Sequence, residues 1–252
     1  MHRTHLATVL AALTLSLPAT ETQAACTATS GPKRVTVVEL YTSEGCDSCP
    51  PADRWLSAVR SRKDVVPLSF HVDYWDYIGW KDPYAQKAFT ERQNAKVAAQ
   101  NSRSVYTPQV MFNGQDFTVW RNENATSGSL QKLAALSAPI ALSLNAEVRA
   151  NTVKIVIETA DGQVGTRSGR TDTVYTAALY ENGLVSSVTA GENRGVTLRH
   201  DAVVRGMQRS PNKAFTFTMS PNVNLANSGV AIIAETTAGE FLQAVKLDLG
   251  GC

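Results

Sequence analysis

Between Arg34 and Trp75 the chain passes through an apolar β-branched stretch, "RVTVVELY", and a turn-rich break, "TSEGCDSCPP". An amphipathic stretch, "PPADRWLSAVRSR", and a second apolar one, "DVVPLSFHVDYW", follow. Trp55, Leu56 and Val59 recur at helical spacing, so the order is strand, turn, helix, strand. Two strands around a helix within about 40 residues make a βαβ unit, which commits this part of the chain to a parallel sheet. Pro50 and Pro51 suit the first helical turn, where a missing N–H costs nothing. Cys46 and Cys49 thus fall where the helix begins.

Asp82-Pro83 reads as a second helix start, with Asp82 as cap and Pro83 in the first helical position. That helix is expected to run through "YAQKAFTERQNAKVAAQ" to about Gln100. A Thr107-Pro108 step then opens a short apolar strand, and Asn113-Gly114 is a strong two-residue hairpin signal. A helix around "SLQKLAALS" closes the unit near Ala138. From Pro139 onward the pattern changes to short strand-like stretches: "IALSLNAEV", "TVKIVIETA", "TVYTAALYE", "AFTFTMS", "VAIIAETT" and "FLQAVKLDL". Turn residues separate them, which predicts a β-sandwich. The expected organisation is an α/β domain over residues 31–138 followed by an all-β sandwich domain over 139–252.

The first 25 residues differ in kind. A basic start, "MHRTH", leads into the apolar "LATVLAALTLSLPA" and then small residues around "TQAAC". This is the pattern of a secretory signal peptide, with cleavage expected near Ala24 or Ala25 and a periplasmic or secreted product. The apolar run is short for a bilayer, and no later stretch reaches the roughly 20 apolar residues of a membrane helix. Loss of Arg3 and Glu21 with this segment leaves the formal charge at +2. Basic residues occur only in scattered pairs such as Lys33-Arg34 and Arg62-Lys63, so no nucleic-acid-binding stripe is present. Cys26, Cys46, Cys49 and Cys252 remain after cleavage. Export permits disulfides, and the local pairing of Cys46 with Cys49 leaves Cys26 for Cys252 as a structural bond. The alternative of a lipid on Cys26 is disfavoured by Gln23, which stands where a large aliphatic residue would be expected.

Cysteines three apart at a helix start have α-carbons about 5 Å apart, within the range a disulfide accepts. The helix N-terminus offers unpaired N–H groups and a partial positive charge, which favour a thiolate at the first cysteine. Cys46 is therefore the expected nucleophile, and Cys49, one turn inward, the resolving thiol. The competing uses are a metal clamp and an inert staple. A disulfide across so short a loop constrains the unfolded chain little, which weakens the staple.

Strand, "GCDSCPP", helix, then a Thr-Pro step into an apolar strand resembles the thioredoxin fold. "VVELYTSEGCDSCPPAD", "HVDYWDYIGWKDPYA", "YTPQVMFNG" and "GENRGVTLRHDAVVR" together resemble an exported bacterial thioredoxin-like family known chiefly as a domain of unknown function. The thioredoxin resemblance implies a cis Pro108 facing the cysteine pair. It also implies a Thr107 backbone that pairs with an extended substrate or partner strand, and a proline that keeps metal away from the sulfurs. The activity implied is thiol–disulfide exchange with a protein or small-thiol partner, without a cofactor or metal. Gly45 replaces the thioredoxin Trp before the first cysteine, and Asp47-Ser48 replaces Gly-Pro between them. Carboxylates at Glu44 and Asp47 oppose the helix dipole, so a reductant or isomerase-like couple is expected rather than a strong oxidant.

"HVDYWDYIGWKDPY" gathers His71, Asp73, Asp76 and aromatic rings including Trp75 and Trp80. These rings can wall a substrate site at the strand ends or simply cap the core, and Asp73 is a candidate proton acceptor for Cys49. His71 or His200 beside the two thiolates would suit copper or zinc. Exported copper-delivery proteins of thioredoxin fold are similar in outline but use another cysteine spacing and histidine position. The charged "GENRGVTLRHDAVVR" either lines the interface with the cysteine domain or forms a solvated hairpin. The Asn124–Thr126 sequon and "SPNK" are chance-level matches.

Overall fold

The computed structural model describes residues 25–161 and 172–252; the expected signal peptide, apart from Ala25, lies outside them. The elements follow in this order: β1 (Ala25–Thr29), β2 (Thr36–Thr42), α1 (Pro50–Val59), β3 (Val65–His71), a 3-10 turn (Asp73–Ile78), α2 (Lys87–Ala99), β4 (Gln109–Phe112), β5 (Gln115–Asp116) and α3 (Glu123–Ala135). Then come β6 (Ile140–Arg149), β7 (Thr152–Asp161), β8 (Thr173–Glu181), β9 (Leu184–Ser187), β10 (Thr197–His200), β11 (Val203–Ser210), β12 (Ala214–Thr218), β13 (Ser228–Thr236) and β14 (Phe241–Asp248). The fold is mixed α/β, with large mixed and antiparallel sheets.

β2 and β3 run parallel from Thr36↔Val65 to Thr42↔His71, and every residue of both is buried. The interior Pro67 is tolerated because of what flanks it. Ser69 N–H, on the same edge as the nitrogen of Pro67, donates to Ala202 (2.7 Å), and β11 joins β3 only at Val203↔Ser69. The donor Pro67 lacks thus falls where no ladder runs. Asn113 and Gly114 have φ of 50° and 80° and turn β4 into β5, as the hairpin signal requires.

The second helix starts later than Asp82-Pro83 predicts. Its cap is Gln86, because the Asp82 carboxylate is taken up by the amides of Glu44 and Tyr84 and by His71. The six predicted C-terminal strands form, and β1, β9, β10 and β11 are added to them. Strands from both sides of residue 138 share a sheet. One eight-stranded sheet runs β14-β13-β8-β11-β3-β2-β4-β5, and a four-stranded sheet runs β1-β6-β7-β12.

Alternation in β8 and β13 shows how the layers share this sheet. Ala178, Tyr180, Ala231 and Ile233 pack with Phe89 and Val97 of α2 on one face. Leu179 and Ile232 point the other way and meet Leu142, Leu144 and Ile155 of the four-stranded sheet. At the β2–β4 end that second face is covered by Leu56 of α1 and Leu130 of α3. A strand buried on both faces reads as continuous apolar sequence rather than as alternation, so both β8 and β13 serve two cores.

Beneath α2, Glu39 in the middle of β2 accepts two hydrogen bonds from Arg92 (2.7 and 2.9 Å) and one from Tyr41 (2.6 Å). Burial opposes its charge, but Arg92 and Lys96 outweigh it and hold the carboxyl at about 2. A buried pair of this kind is tolerated because its lone pairs and protons are filled.

Candidate functional site

Cys46 and Cys49 are disulfide-bonded with α-carbons 5.4 Å apart. β2 ends at Thr42, and Cys49 caps α1, its carbonyl accepting from Ala52 N–H (2.8 Å). Prolines follow at the first two helical positions, so the turn is held by β2 behind and α1 ahead. The Thr107–Pro108 peptide is cis, and the next residue, Gln109, pairs with Tyr41 of β2. The proline thus lies level with the end of the strand that delivers the cysteines.

Gly45 is a packing requirement. A Cβ there would stand 3.1 Å from Trp75 Cβ and 3.2 Å from Ile78 Cδ1, so the 3-10 turn occupies the space that a bulkier residue would need. Trp75 also donates from Nε1 to Thr107 Oγ1 (2.7 Å) and bridges the cysteine turn to the proline loop. Trp80 Nε1–H donates to Glu44 Oε2 (2.8 Å). The two tryptophans are therefore tied to the turn, whereas Tyr77 between them is 82% exposed. Asp73 is turned elsewhere: its carboxylate accepts from Thr90 Oγ1 of α2 (2.6 Å).

Behind the cysteines lies a buried group that the sequence showed only as scattered letters. Glu44 is fully buried; its carboxylate accepts from Trp80 and from His200 Nε2 (3.1 Å), and its amide donates to Asp82 (2.8 Å). His71 Nδ1 donates to the same Asp82 oxygen (2.7 Å). The His71 and His200 rings meet edge to face, with centroids 4.9 Å apart, and His200 Nδ1 is 3.8 Å from Asp53 on α1. Burial opposes charge on His71, but the carboxylates of Asp82, Asp53 and Glu44 raise it above the ordinary imidazole value. Burial raises Asp53, and the two histidines only partly offset it. Asp82 is held low: burial pushes it up, but His71 and the amides of Glu44 and Tyr84 more than compensate.

His71 and His200, either of which could have joined the thiolates in a metal site, face carboxylates, and among the described residues no group of three or more His, Cys, Asp or Glu is placed to hold a metal ion. Glu44, expected to repel a Cys46 thiolate, is committed to Trp80 and His200.

The segment "GENRGVTLRHDAVVR" lies over the cysteine turn. Its loop, 188–196, joins β9 to β10 and is closed by Val188 N–H to Val196 O (3.0 Å) and Gly195 N–H to Val188 O (2.8 Å). Asn193 Nδ2 donates to the carbonyls of Glu44 (2.8 Å) and Cys46 (2.9 Å). Glu192 Oε2 accepts from the amide of Asp47, between the cysteines (3.1 Å). Gly191, at φ +71°, packs against Ile78 and Trp80. Under this loop and the 3-10 turn, Cys46 is 1% exposed and Cys49 fully buried. Cys26, on β1, and Cys252 are also bonded, with α-carbons 5.6 Å apart, so Cys26 is not free to carry a lipid.

A βαβ unit that presents a C-x-x-C disulfide at a helix start, backed by a β-rich second half, defines the class. Residues 37–235 match the family described as "Protein of unknown function (DUF1223)", and the chain belongs to that family. The chain is also similar to a solved structure, Protein AGR_C_4864 from Agrobacterium tumefaciens, at 29% identity and a TM-score of 0.61. The match covers 88% of this chain and 96% of that one. No curated protein matches.

Proposed function

We propose that this protein is an exported thiol–disulfide oxidoreductase of thioredoxin type, with a thioredoxin-like part that carries the site and a β-sandwich part that covers it. The observation that carries this reading is the Cys46–Cys49 disulfide at the start of α1, level with the cis Thr107–Pro108 step. Among the described residues no helix is long and apolar enough to cross a membrane.

In the reducing direction the Cys46 thiolate attacks one sulfur of a partner disulfide, whose other sulfur leaves with the bonding pair. The Cys49 thiol loses its proton to water and attacks Cys46, which expels the second partner sulfur as a thiolate. Two electrons pass to the partner, whose two thiolates take up protons from water, and the Cys46–Cys49 bond closes. Thr107 and Pro108 would receive the partner's extended chain, with Trp75 and Trp80 as the wall of that site. The bond is already closed in the structure, so the reverse direction begins with attack by a partner thiolate on Cys46.

The reading is tested by the reduction potential of the Cys46–Cys49 pair in the folded protein, measured in defined thiol buffers with alkylation and mass spectrometry. A reversible couple between about −120 and −270 mV supports exchange, and a value at the oxidising end would refute the reductant assignment. Cys49→Ser should trap partners as mixed disulfides on Cys46. The burial of both sulfurs favours a second reading, a non-catalytic module with an inert staple. That reading predicts a bond that stays closed below about −300 mV.

A further inference from the structure

We infer that the β9–β10 loop is a strap that shuts Cys46 off from partners, and that Asn193 and Glu192 are the positioning residues that latch it. The inference rests on the exchange reading above and adds to it the step that must precede chemistry.

Attack on a disulfide sulfur is in line with the bond that breaks, so a thiolate must reach Cys46 from the side opposite Cys49. With Cys46 1% exposed, even a small thiol lacks that path. Two segments lie against the cysteine turn, and they differ in what backs them: Tyr74 and Trp75 of the 3-10 turn pack against the core beneath α2, whereas the strap joins the strands of a separate two-stranded sheet. The 3-10 turn is anchored by Trp75 to Thr107 and by Trp80 to Glu44. The strap's polar hold on the turn consists of the two Asn193 bonds to the carbonyls of Glu44 and Cys46 and the Glu192 bond to Asp47. The strap is a nine-residue hairpin connection, 188–196, whose glycines at 191 and 195 have φ of +71° and +84°. A segment held by few bonds opens at small cost without unfolding the rest.

The three bonds also have one target. Asn193 is 6% exposed, and its side-chain amide serves two carbonyls that flank Gly45, while Glu192 takes the first amide after Cys46. A polar side chain buried 145 or more residues away in sequence from the groups it binds has no role in its own hairpin. Opening the strap takes one donor from each of the carbonyls of Glu44 and Cys46, of which Cys46 keeps Cys49 N–H (3.2 Å), and one acceptor from the exposed Asp47 amide, and the buried Glu44 carbonyl then demands a new partner. A partner chain that supplies a donor pair and an acceptor replaces the strap bond for bond, whereas a simple thiol reacts only in the fraction of time the strap is open.

The test is the rate of reduction of the folded protein by dithiothreitol, followed by alkylation and mass spectrometry, with the equilibrium constant of the same reaction measured alongside. Removal of two buried hydrogen bonds by Asn193→Ala should raise the rate at least tenfold, roughly the effect of one to two such bonds. Glu192→Ala, at an exposed position, should raise it about threefold, the effect of one weak hydrogen bond. In both variants the equilibrium constant should stay within about twofold of the unaltered protein, since a gate speeds both directions equally. A rate rise matched by an equal change in the equilibrium constant would mean that Asn193 stabilises the oxidised pair, and would overturn the gate. Unchanged rates in a reducible protein overturn it too, and leave the exchange reading standing. A pair that resists reduction in the unaltered protein and both variants removes the exchange reading and the strap together. If Asn193→Ala fails to fold, the Glu192→Ala rate decides.

Discussion

The Cys26–Cys252 bond joins residues 226 apart, and its sulfurs belong to half-buried residues at the two ends of the described chain. The Cys46–Cys49 bond joins residues three apart and is more deeply buried, beneath a loop from the other half of the protein. In the chain-entropy picture a disulfide stabilises by the loop it denies the unfolded chain. The long bond is then worth about 5 kcal/mol and the short one about 2 kcal/mol. Burial and thermodynamic weight therefore run in opposite order. The bond with the smaller stabilising effect is the one placed at the helix start, beside the buried carboxylates and under the 188–196 loop.

The sharpest way to break this contrast is Cys46→Ser. It should abolish exchange with a peptide disulfide altogether while the protein still unfolds cooperatively; retained turnover would place the chemistry elsewhere. Next in size, the double variant Cys26→Ser with Cys252→Ser should lose about 5 kcal/mol in urea unfolding and keep its exchange rate. A loss of exchange with unchanged stability would reverse the two roles.

The third probe is the Asp82–His71 pair behind the short bond. Asp82→Asn leaves His71 buried without its carboxylate and should cost about 3–5 kcal/mol where both groups are charged. The sign follows from the two directions of shift. Asp82 is depressed, so its contribution is present above about pH 3.9 and fades as pH falls through the folded value. His71 is raised, so its contribution is complete below about pH 6.5 and fades as pH rises through the folded value. The difference in stability between the unaltered protein and Asp82→Asn should therefore be greatest at about pH 4–6.5 and shrink on both sides. A difference that stays flat from well below about pH 4 to well above about pH 6.5 would show that the pair is not charged. The smallest effect expected is that of the double variant Cys46→Ser with Cys49→Ser, about 2 kcal/mol or less in the same unfolding assay. A loss as large as that from the long bond would make the short one a staple.

The βαβ unit, its cysteine turn and the Asn113-Gly114 hairpin could be read locally, because each depends on neighbours a few residues away: two prolines at a helix start, two residues with positive φ. The Cys46–Cys49 pairing followed from their spacing at a helix start, and that choice left Cys26 for Cys252. The helix start at Asp82 was misread because a capping residue and a buried ion-pair partner look alike in sequence; only the approach of His71 and Glu44, 11 and 38 residues away, decided which it was. The same limit applies to Asp73, whose carboxylate goes to Thr90, and to Glu39, whose charge inside "VVELY" announced a buried partner without saying that it was Arg92.

Sequence alone determined that two thiols would stand at a helix start, because period and turn chemistry are written within short windows; the proline step facing them was implied by the thioredoxin resemblance. Tertiary structure decided what surrounds them. The eight-stranded sheet carries β8, β11, β13 and β14 alongside β2 and β3, and the separate β9–β10 hairpin that connects β8 to β11 brings Asn193 and His200 to a turn about 150 residues earlier. Such contacts depend on how two layers stack, and stacking is set by the sum of many weak apolar contacts over both faces of a sheet, which no single stretch of residues contains.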